Sequence, residues 1–265
     1  MNEGGSIERP VFFIGMPRSG TTVLFEAFAR HPDLGWLSNY SEMWPQWPVA
    51  NILCRFFDNR VLSLRGHKKQ YGRVIIGNRY LPQPVEAYPF WDLYTQREFS
   101  LDYLLGEEAS TRTTVRVRRA VGAVLKYQHK NRLATKLTGP GRIGYINSIF
   151  PDAVYIHVIR DGRSVVNSLL NVRFWKEKGG FKGPFWKNGL RPQDLRQWND
   201  YQQEPAVLAA IQWIRVIETT REEASALGAG QYQEVKYVDF VSEPVQVLSG
   251  LFDSIGLDSA NAEDY

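Results

Sequence analysis

The fold class this sequence predicts is α/β: a P-loop-like parallel sheet of about four or five strands, flanked by helices on both faces, with aromatic-rich loop insertions. Three observations predict it. Residues 11–14 (VFFI) form a continuous apolar run, then a glycine-punctuated turn, then a stretch of helical periodicity. Residues 154–159 (VYIHVI) repeat that plan, an apolar run of the kind buried on both faces of a parallel sheet, followed by a turn and a helix. Between and after them, short apolar runs alternate with long amphipathic segments, as in βα units. The chain has 265 residues, 43% of them hydrophobic and 23% charged, enough for one α/β unit over 1–265 with a full core.

The elements follow in order. Residues 1–9 are polar and read as a frayed tail. The first helix covers 21–30, with Leu24, Phe25, Phe28 and Ala29 on its inner face, and Pro32 stops it. His31 reads as a helix-end residue. Residues 36–57 crowd Trp36, Tyr40, Trp44, Trp47, Phe56 and Phe57 with two prolines, and 72–103 add Tyr80, Tyr88, Phe90, Trp91 and Tyr94. Both stretches, 36–103 together, read as an insertion that forms either satellite core or the wall of a pocket. A helix is expected over 109–130 with Val115, Ala120, Val124 and Tyr127 inward, then a strand over 133–137 and a helix over 144–150. After the strand 154–159, a helix starts at Ser164 with Val165, Val166, Leu169 and Leu170 inward. His157 reads as a core histidine. Residues 171–201 hold Phe174, Trp175, Phe181, Phe185, Trp186 and Trp198 and show no regular period, so they read as a long lid loop. A helix over 206–227 (Leu208, Ile211, Trp213, Ile214, Ile217), a strand over 232–238 and a helix over 245–255 complete the chain.

Composition excludes several classes. The net charge of +4 and the absence of a dense basic stripe argue against nucleic acid. Arg112, Arg116, Arg118 and Arg119 read as a solvated helix face. No apolar run reaches the roughly 20 residues of a membrane span, and the N-terminus does not read as a signal peptide, so the cytoplasm is the expected location. The single cysteine, Cys54, excludes an internal disulfide and reads as buried.

The turn after the first strand is the most informative stretch. Pro17-Arg18-Ser19-Gly20-Thr21-Thr22 joins strand to helix, so loop N–H groups and the helix N-terminus converge on one anion-binding spot. Gly15 and Gly20 keep the four-residue gap of the NTPase phosphate loop, but Thr21 stands where that motif has lysine, and the cation has moved to Arg18. Such a loop suits a smaller terminal anion and needs no metal. Later, Arg160 stands at the mouth of the second strand–turn–helix, and Ser168 follows two helical turns on. An arginine fork and a hydroxyl at that spacing suit a phosphate.

These two ordered motifs resemble those of sulfotransferases that use 3′-phosphoadenosine 5′-phosphosulfate (PAPS), in the bacterial and Golgi-type branch that includes tyrosylprotein sulfotransferases. The resemblance covers roughly residues 10 to 257. It implies that Pro17, Arg18, Ser19, Gly20, Thr21 and Thr22 hold the 5′-phosphosulfate, and that Arg160 and Ser168 bind the 3′-phosphate. It also implies that Tyr237, in Lys236-Tyr237-Val238-Asp239-Phe240, lies near the nucleotide. Arg173 sits one residue from where relatives carry another 3′-phosphate arginine. Lys136, late in a short strand and facing the crevice beyond the strand ends, is implied to contact the transferred group. The family usually has proline two residues after this lysine; here the next is Pro140. In many relatives a basic segment follows the last helix and closes over the donor.

The base is read from both residues and resemblance. Glu42 is an acid among rings, where loss of water favours its protonated form and suits a general base. In the resembling enzymes the base follows the loop arginine by about two dozen residues, and Glu42 follows Arg18 by 24. His67, in the basic stretch Arg65 to Lys69, is the alternative; Glu86 and Asp92 are secondary carboxylate candidates. The implied reaction moves a sulfuryl group from PAPS to a hydroxyl, less readily an amine, of a small-molecule, glycan or lipid acceptor, leaving 3′-phosphoadenosine 5′-phosphate (PAP), with Arg18 and Lys136 stabilising charge and no metal. Two other readings stay open: a P-loop kinase, and a non-catalytic anion-binding module. The acceptor and the oligomeric state are not encoded in any pattern here.

Overall fold

The computed structural model describes residues 7–57, 81–177 and 179–264. His67, Tyr80 and the basic stretch at 65–69 lie outside the described residues. Five strands form one parallel sheet in the order β2-β3-β1-β4-β5. They are β1 (Val11–Gly15), β2 (Leu34–Gly35), β3 (Arg132–Thr138), β4 (Val154–Ile159) and β5 (Tyr232–Lys236). Val11 pairs with Ala134 on one side and Val154 on the other, so β1 is the central strand.

Alternation along β1 explains why helices cover both faces. Phe12 and Ile14 point into a core shared with helices α4 (Tyr88–Thr95), α5 (Thr111–Gln128) and α6 (Ile143–Ile149). Val11 and Phe13 point the other way, against α1 (Thr21–Phe28) and α12 (Pro244–Ile255). Successive side chains of a strand face opposite sides, so a strand buried on both needs an unbroken apolar run. Phe13 meets Phe28 edge-on at 4.9 Å, and Phe28 stacks on Phe252 at 4.9 Å. A third core joins α7 (Gly162–Leu170) and α10 (Pro205–Ala224) to Trp175 and Trp186.

Several expectations need correction. Residues 36–57 are not loop: α2 (Asn39–Met43), a 3₁₀ turn at Pro48–Ile52 and α3 (Leu53–Phe57) lie there. The first is started by Ser38, whose hydroxyl accepts from the Tyr40 N–H at 3.1 Å. The stretch 171–201 contains α8 (Arg173–Glu177) and α9 (Pro192–Asp200), too short for a periodic signal to emerge. Trp175 and Trp186 are buried and 5.6 Å apart, so this region is a packed wall. The last strand ends at Lys236, and Tyr237 opens α11 (Tyr237–Ser242). The helix after β4 starts at Gly162, ahead of Ser164, because Asp161 caps it: its carboxylate accepts from the Ser164 N–H at 3.1 Å. Val115 and Ile214, expected inward, are exposed. Cys54 and His157 are buried as expected, and His31, read as a helix-end residue, is buried too; burial pulls the His157 pKa down to about 4, holding it neutral against the Tyr232 hydroxyl at 2.7 Å. No described helix is long and apolar enough to cross a membrane.

Candidate active site

The phosphate cradle is built by backbone geometry that its residues permit. Gly15 sits at φ 136°, and a Cβ there would lie 2.6 Å from the Val158 carbonyl oxygen, so β1 can end this close to β4 only with glycine. Gly20, at φ 87°, is the N-cap of α1, and a Cβ there would run into the Tyr237 ring at 2.1 Å. Arg18 also takes a left-handed backbone, φ 75°, a strained state for a side-chain-bearing residue of the kind found where a ligand is gripped. No side chain caps α1. The Thr21 hydroxyl is buried with no partner among the described residues, so a donor or acceptor is left over at the cradle.

Around this loop the structure gathers residues from four elements. The Arg18 Nε donates to the Ser168 Oγ of α7 at 2.9 Å. The Arg160 Nη1 donates to the Arg18 carbonyl at 3.2 Å, and its guanidinium lies over the Tyr237 ring, 4.9 Å from the centroid. On the other side the Lys136 Nζ donates to the Thr22 Oγ1 at 2.8 Å. Lys136 is only 8% exposed. Pro17, Ser19, Gly20, Thr21, Thr22, Lys136, Arg160, Ser168 and Tyr237 therefore stand together with Arg18 at the carboxyl ends of β1, β3 and β4, the place where open α/β sheets hold ligands. Arg173 does not join them by any contact: it is exposed and pairs with Glu177 at 2.6 Å within α8.

The carboxylates separate. Glu42 lies on the exposed face of α2 and is not on the wall of the cavity beside the loop. The rings expected to enclose it divide: Trp36 and Tyr40 are buried in the core, whereas Trp44 and Trp47 face outward. Asp92 caps the turn after α4, accepting from the Phe99 N–H at 2.7 Å; burial pushes its pKa up. Glu86 is the carboxylate that reaches the site. Its Oε1 accepts from the Thr138 hydroxyl at 2.6 Å and lies 3.8 Å from the Lys136 Nζ. The sequence held a weak signal for it, an acid two residues ahead of an aromatic run, which local pattern could not rank above Glu42.

A cavity of about 870 Å³ opens beside the loop. Arg18, Lys136, Arg160 and Glu86 form its polar end; Tyr88, Leu101, Phe174, Phe185 and Trp186 form much of the rest. Of the two expected insertions, 171–201 supplies cavity wall, and so does the 86–101 part of 36–103; residues 36–57 do not. The wall is locked to the body of the protein: the Lys187 N–H donates to the Leu101 carbonyl at 2.9 Å, and the Tyr103 N–H to the Lys187 carbonyl at 3.2 Å.

A glycine turn suited to an anion, cations at the carboxyl ends of β1, β3 and β4, and a parallel sheet in this order make up a P-loop-like α/β protein. The model of the sulfotransferase family matches residues 10–261, and the chain belongs to that family. Among curated proteins it is similar to the omega-hydroxy-beta-dihydromenaquinone-9 sulfotransferases Stf3 of Mycobacterium bovis and Mycobacterium tuberculosis, 25% identical to each over 262 residues. The match takes in 94% of this chain and 63% of each relative, so the chain spans somewhat under two thirds of their length. Among solved structures it resembles sulfotransferase STF9 of Mycobacterium avium, with TM-score 0.61 and 20% identity over 97% of this chain and 67% of that one. It also resembles sulfotransferase STF1 of Mycobacterium tuberculosis, with TM-score 0.59 and 16% identity over 98% of this chain and 71% of that one. These two likenesses concern the fold.

Proposed function

We propose that the chain transfers a sulfuryl group from PAPS to the hydroxyl of an apolar acceptor. The observation that carries this is the convergence of Arg18, Lys136 and Glu86 on one cavity whose loop is shaped for a terminal anion. The residues fit the donor: the cradle of residues 17–22 suits its 5′-phosphosulfate, with the leftover Thr21 hydroxyl as one donor. Arg160, Ser168 and Tyr237 suit the nucleotide's 3′-phosphate side. PAPS supplies an activated S–O bond.

Glu86 takes the place that the sequence assigned to Glu42. It receives the acceptor hydroxyl proton as the acceptor oxygen bonds to sulfur. The bond from sulfur to the 5′-phosphate oxygen breaks in line, and the electron pair leaves on that phosphate. Lys136 and Arg18 stabilise the charge that develops there, a preorganised electrostatic role of the kind that dominates such transfers. The products are a sulfate ester and PAP. Phe174, Phe185, Trp186 and Leu101 line the approach with apolar surface, which suits an alcohol carried on a ring or hydrocarbon body. The names of the mycobacterial relatives, which specify a hydroxylated menaquinone, point the same way.

Calorimetric titration with PAP and with ADP tests the donor. PAP is expected to bind at least tenfold tighter. Equal affinities sink the assignment. Incubation with labelled PAPS and a panel of 2-naphthol, farnesol, a tyrosine peptide and glucosamine tests the acceptor class. Turnover of the first two well above the last two is expected; preference for the sugar overturns the apolar reading.

A further inference from the structure

Arg142 is a buried cation that the reaction above does not use. It stands at the N-terminus of α6, 2% exposed, and no carboxylate forms an ion pair with it among the described residues. An arginine keeps its charge even when buried, although burial lowers its pKa against the opposing fields of Tyr88 and Glu86. Enclosing a charge without a direct counter-ion costs stability. What the guanidinium does instead is tie main-chain groups. It donates to the Phe99 carbonyl, and its Nη2 donates to the Thr138 carbonyl at 2.7 Å. Its faces lie near two rings, 4.9 Å from the Phe99 centroid and 5.9 Å from that of Tyr88.

Thr138 is the residue this arrangement fixes. Its carbonyl also accepts from the Tyr88 hydroxyl at 2.7 Å, and its own hydroxyl donates to Glu86 at 2.6 Å. It is the last residue of β3, two positions beyond Lys136. Phe99 precedes Ser100 and Leu101 of the cavity wall. One guanidinium thus joins the end of β3, the start of α4 and the 99–101 wall.

We infer that Arg142 is a positioning residue: it holds Thr138, and through the Thr138 hydroxyl it aims the Glu86 carboxylate beside Lys136. The inference rests on the reading of Glu86 as the base. A carboxylate bonded to a residue whose carbonyl is held by two donors keeps its geometry as the acceptor enters, and small displacements of a reacting group are costly in rate.

Thr138→Val removes the hydroxyl and leaves the carbonyl that Arg142 holds, while Thr138→Ser keeps both. Each is assayed with PAPS and 2-naphthol for kcat and KM, and with PAP by calorimetry. T138V is expected to lose about tenfold or more in kcat, with little change in KM or PAP affinity, and T138S to recover most of it. Arg142→Met is expected to lower kcat in the same way and Arg142→Lys to recover it in part, with thermal melting run alongside. T138V turning over like the wild type while Glu86→Gln abolishes turnover overturns the positioning role and leaves the base intact. Glu86→Gln turning over like the wild type overturns the base reading, and the positioning role with it. Loss of PAP affinity in parallel with kcat in T138V and T138S alike marks a merely structural residue and also overturns the inference.

Discussion

The two halves of the crevice are built by different rules. The half proposed to take the nucleotide comes from two copies of one local device, a strand that ends in a turn and feeds a helix: β1 into α1, and β4 into α7. Each places its functional groups within a few residues of the strand end, and Tyr237 closes the gap from the start of α11. The acceptor half has no such unit. Glu86 from ahead of α4, Thr138 from the end of β3 and Arg142 from the N-terminus of α6 meet because three helices pack on one sheet face, and Trp186 joins the cavity wall from the separate core of α7 and α10. Each strand–turn–helix device can therefore be written in local sequence, although Arg18 and Ser168, which join the two, lie 150 positions apart; the aim of the proposed base has no such local unit behind it and rests on a contact across 52 positions.

The largest effect should come from separating the halves through the base. Glu86→Gln is expected to lower kcat by roughly 10²-fold or more, the range for loss of a general base, with PAP affinity changed less than twofold. Glu42→Gln, exposed on α2, is expected to match the wild type. The reverse pattern in steady-state kinetics would return the base to α2 and erase the distinction drawn here.

A smaller effect probes the nucleotide half. Arg160→Met removes the guanidinium, with its contact over the Tyr237 ring, and keeps an unbranched apolar stem. PAP affinity is expected to fall about tenfold to a hundredfold, the scale of lost charge-assisted hydrogen bonds. ADP, lacking the 3′-phosphate, should lose little. Equal losses for both nucleotides in calorimetry would make Arg160 a loop-holding residue, through its bond to the Arg18 carbonyl, rather than a reader of the 3′-phosphate.

The last effect, on stability rather than turnover, concerns the scaffold of the acceptor half. Glu223 of α10 accepts from the Ile143 N–H at 2.9 Å and the Gly144 N–H at 3.2 Å, capping α6 beside Arg142. Burial raises its pKa from 4.5 to about 7, partly offset by those two backbone donors. A raised folded pKa means the folded state holds the proton more tightly than the unfolded chain. The contribution to stability is full below about pH 4.5 and is lost as pH rises through about 7. Its upper size is about 3 kcal/mol. Chemical unfolding of the wild type and Glu223→Gln across that window should show the difference between them shifting with pH; a pH-independent difference would mean that the carboxyl does not titrate there.

The sequence carried the β1 and β4 strands, the glycine turn between β1 and α1, and the long helices α5 and α10 to within a few residues. Each is written in local periodicity or turn chemistry: an unbroken apolar run for a doubly buried strand, glycine where the backbone must turn or approach another strand, apolar spacing for a helix face. It missed α2, α8 and α9 because helices of one or two turns are held by caps and packing, too short for a period to show. It placed the aromatic walls in chain order but could not divide them. Only packing put Trp186 on the cavity and turned Trp47 outward. The same applies to the two glutamates. Glu42 and Glu86 both precede or sit among rings, and spacing from Arg18 favoured the first. What favours Glu86 in the proposed mechanism is the approach of the segment ahead of α4 to the end of β3, which brings a carboxylate and a lysine from distant segments to 3.8 Å. Burial and long-range contact depend on how elements stack, and no run of neighbouring residues records that.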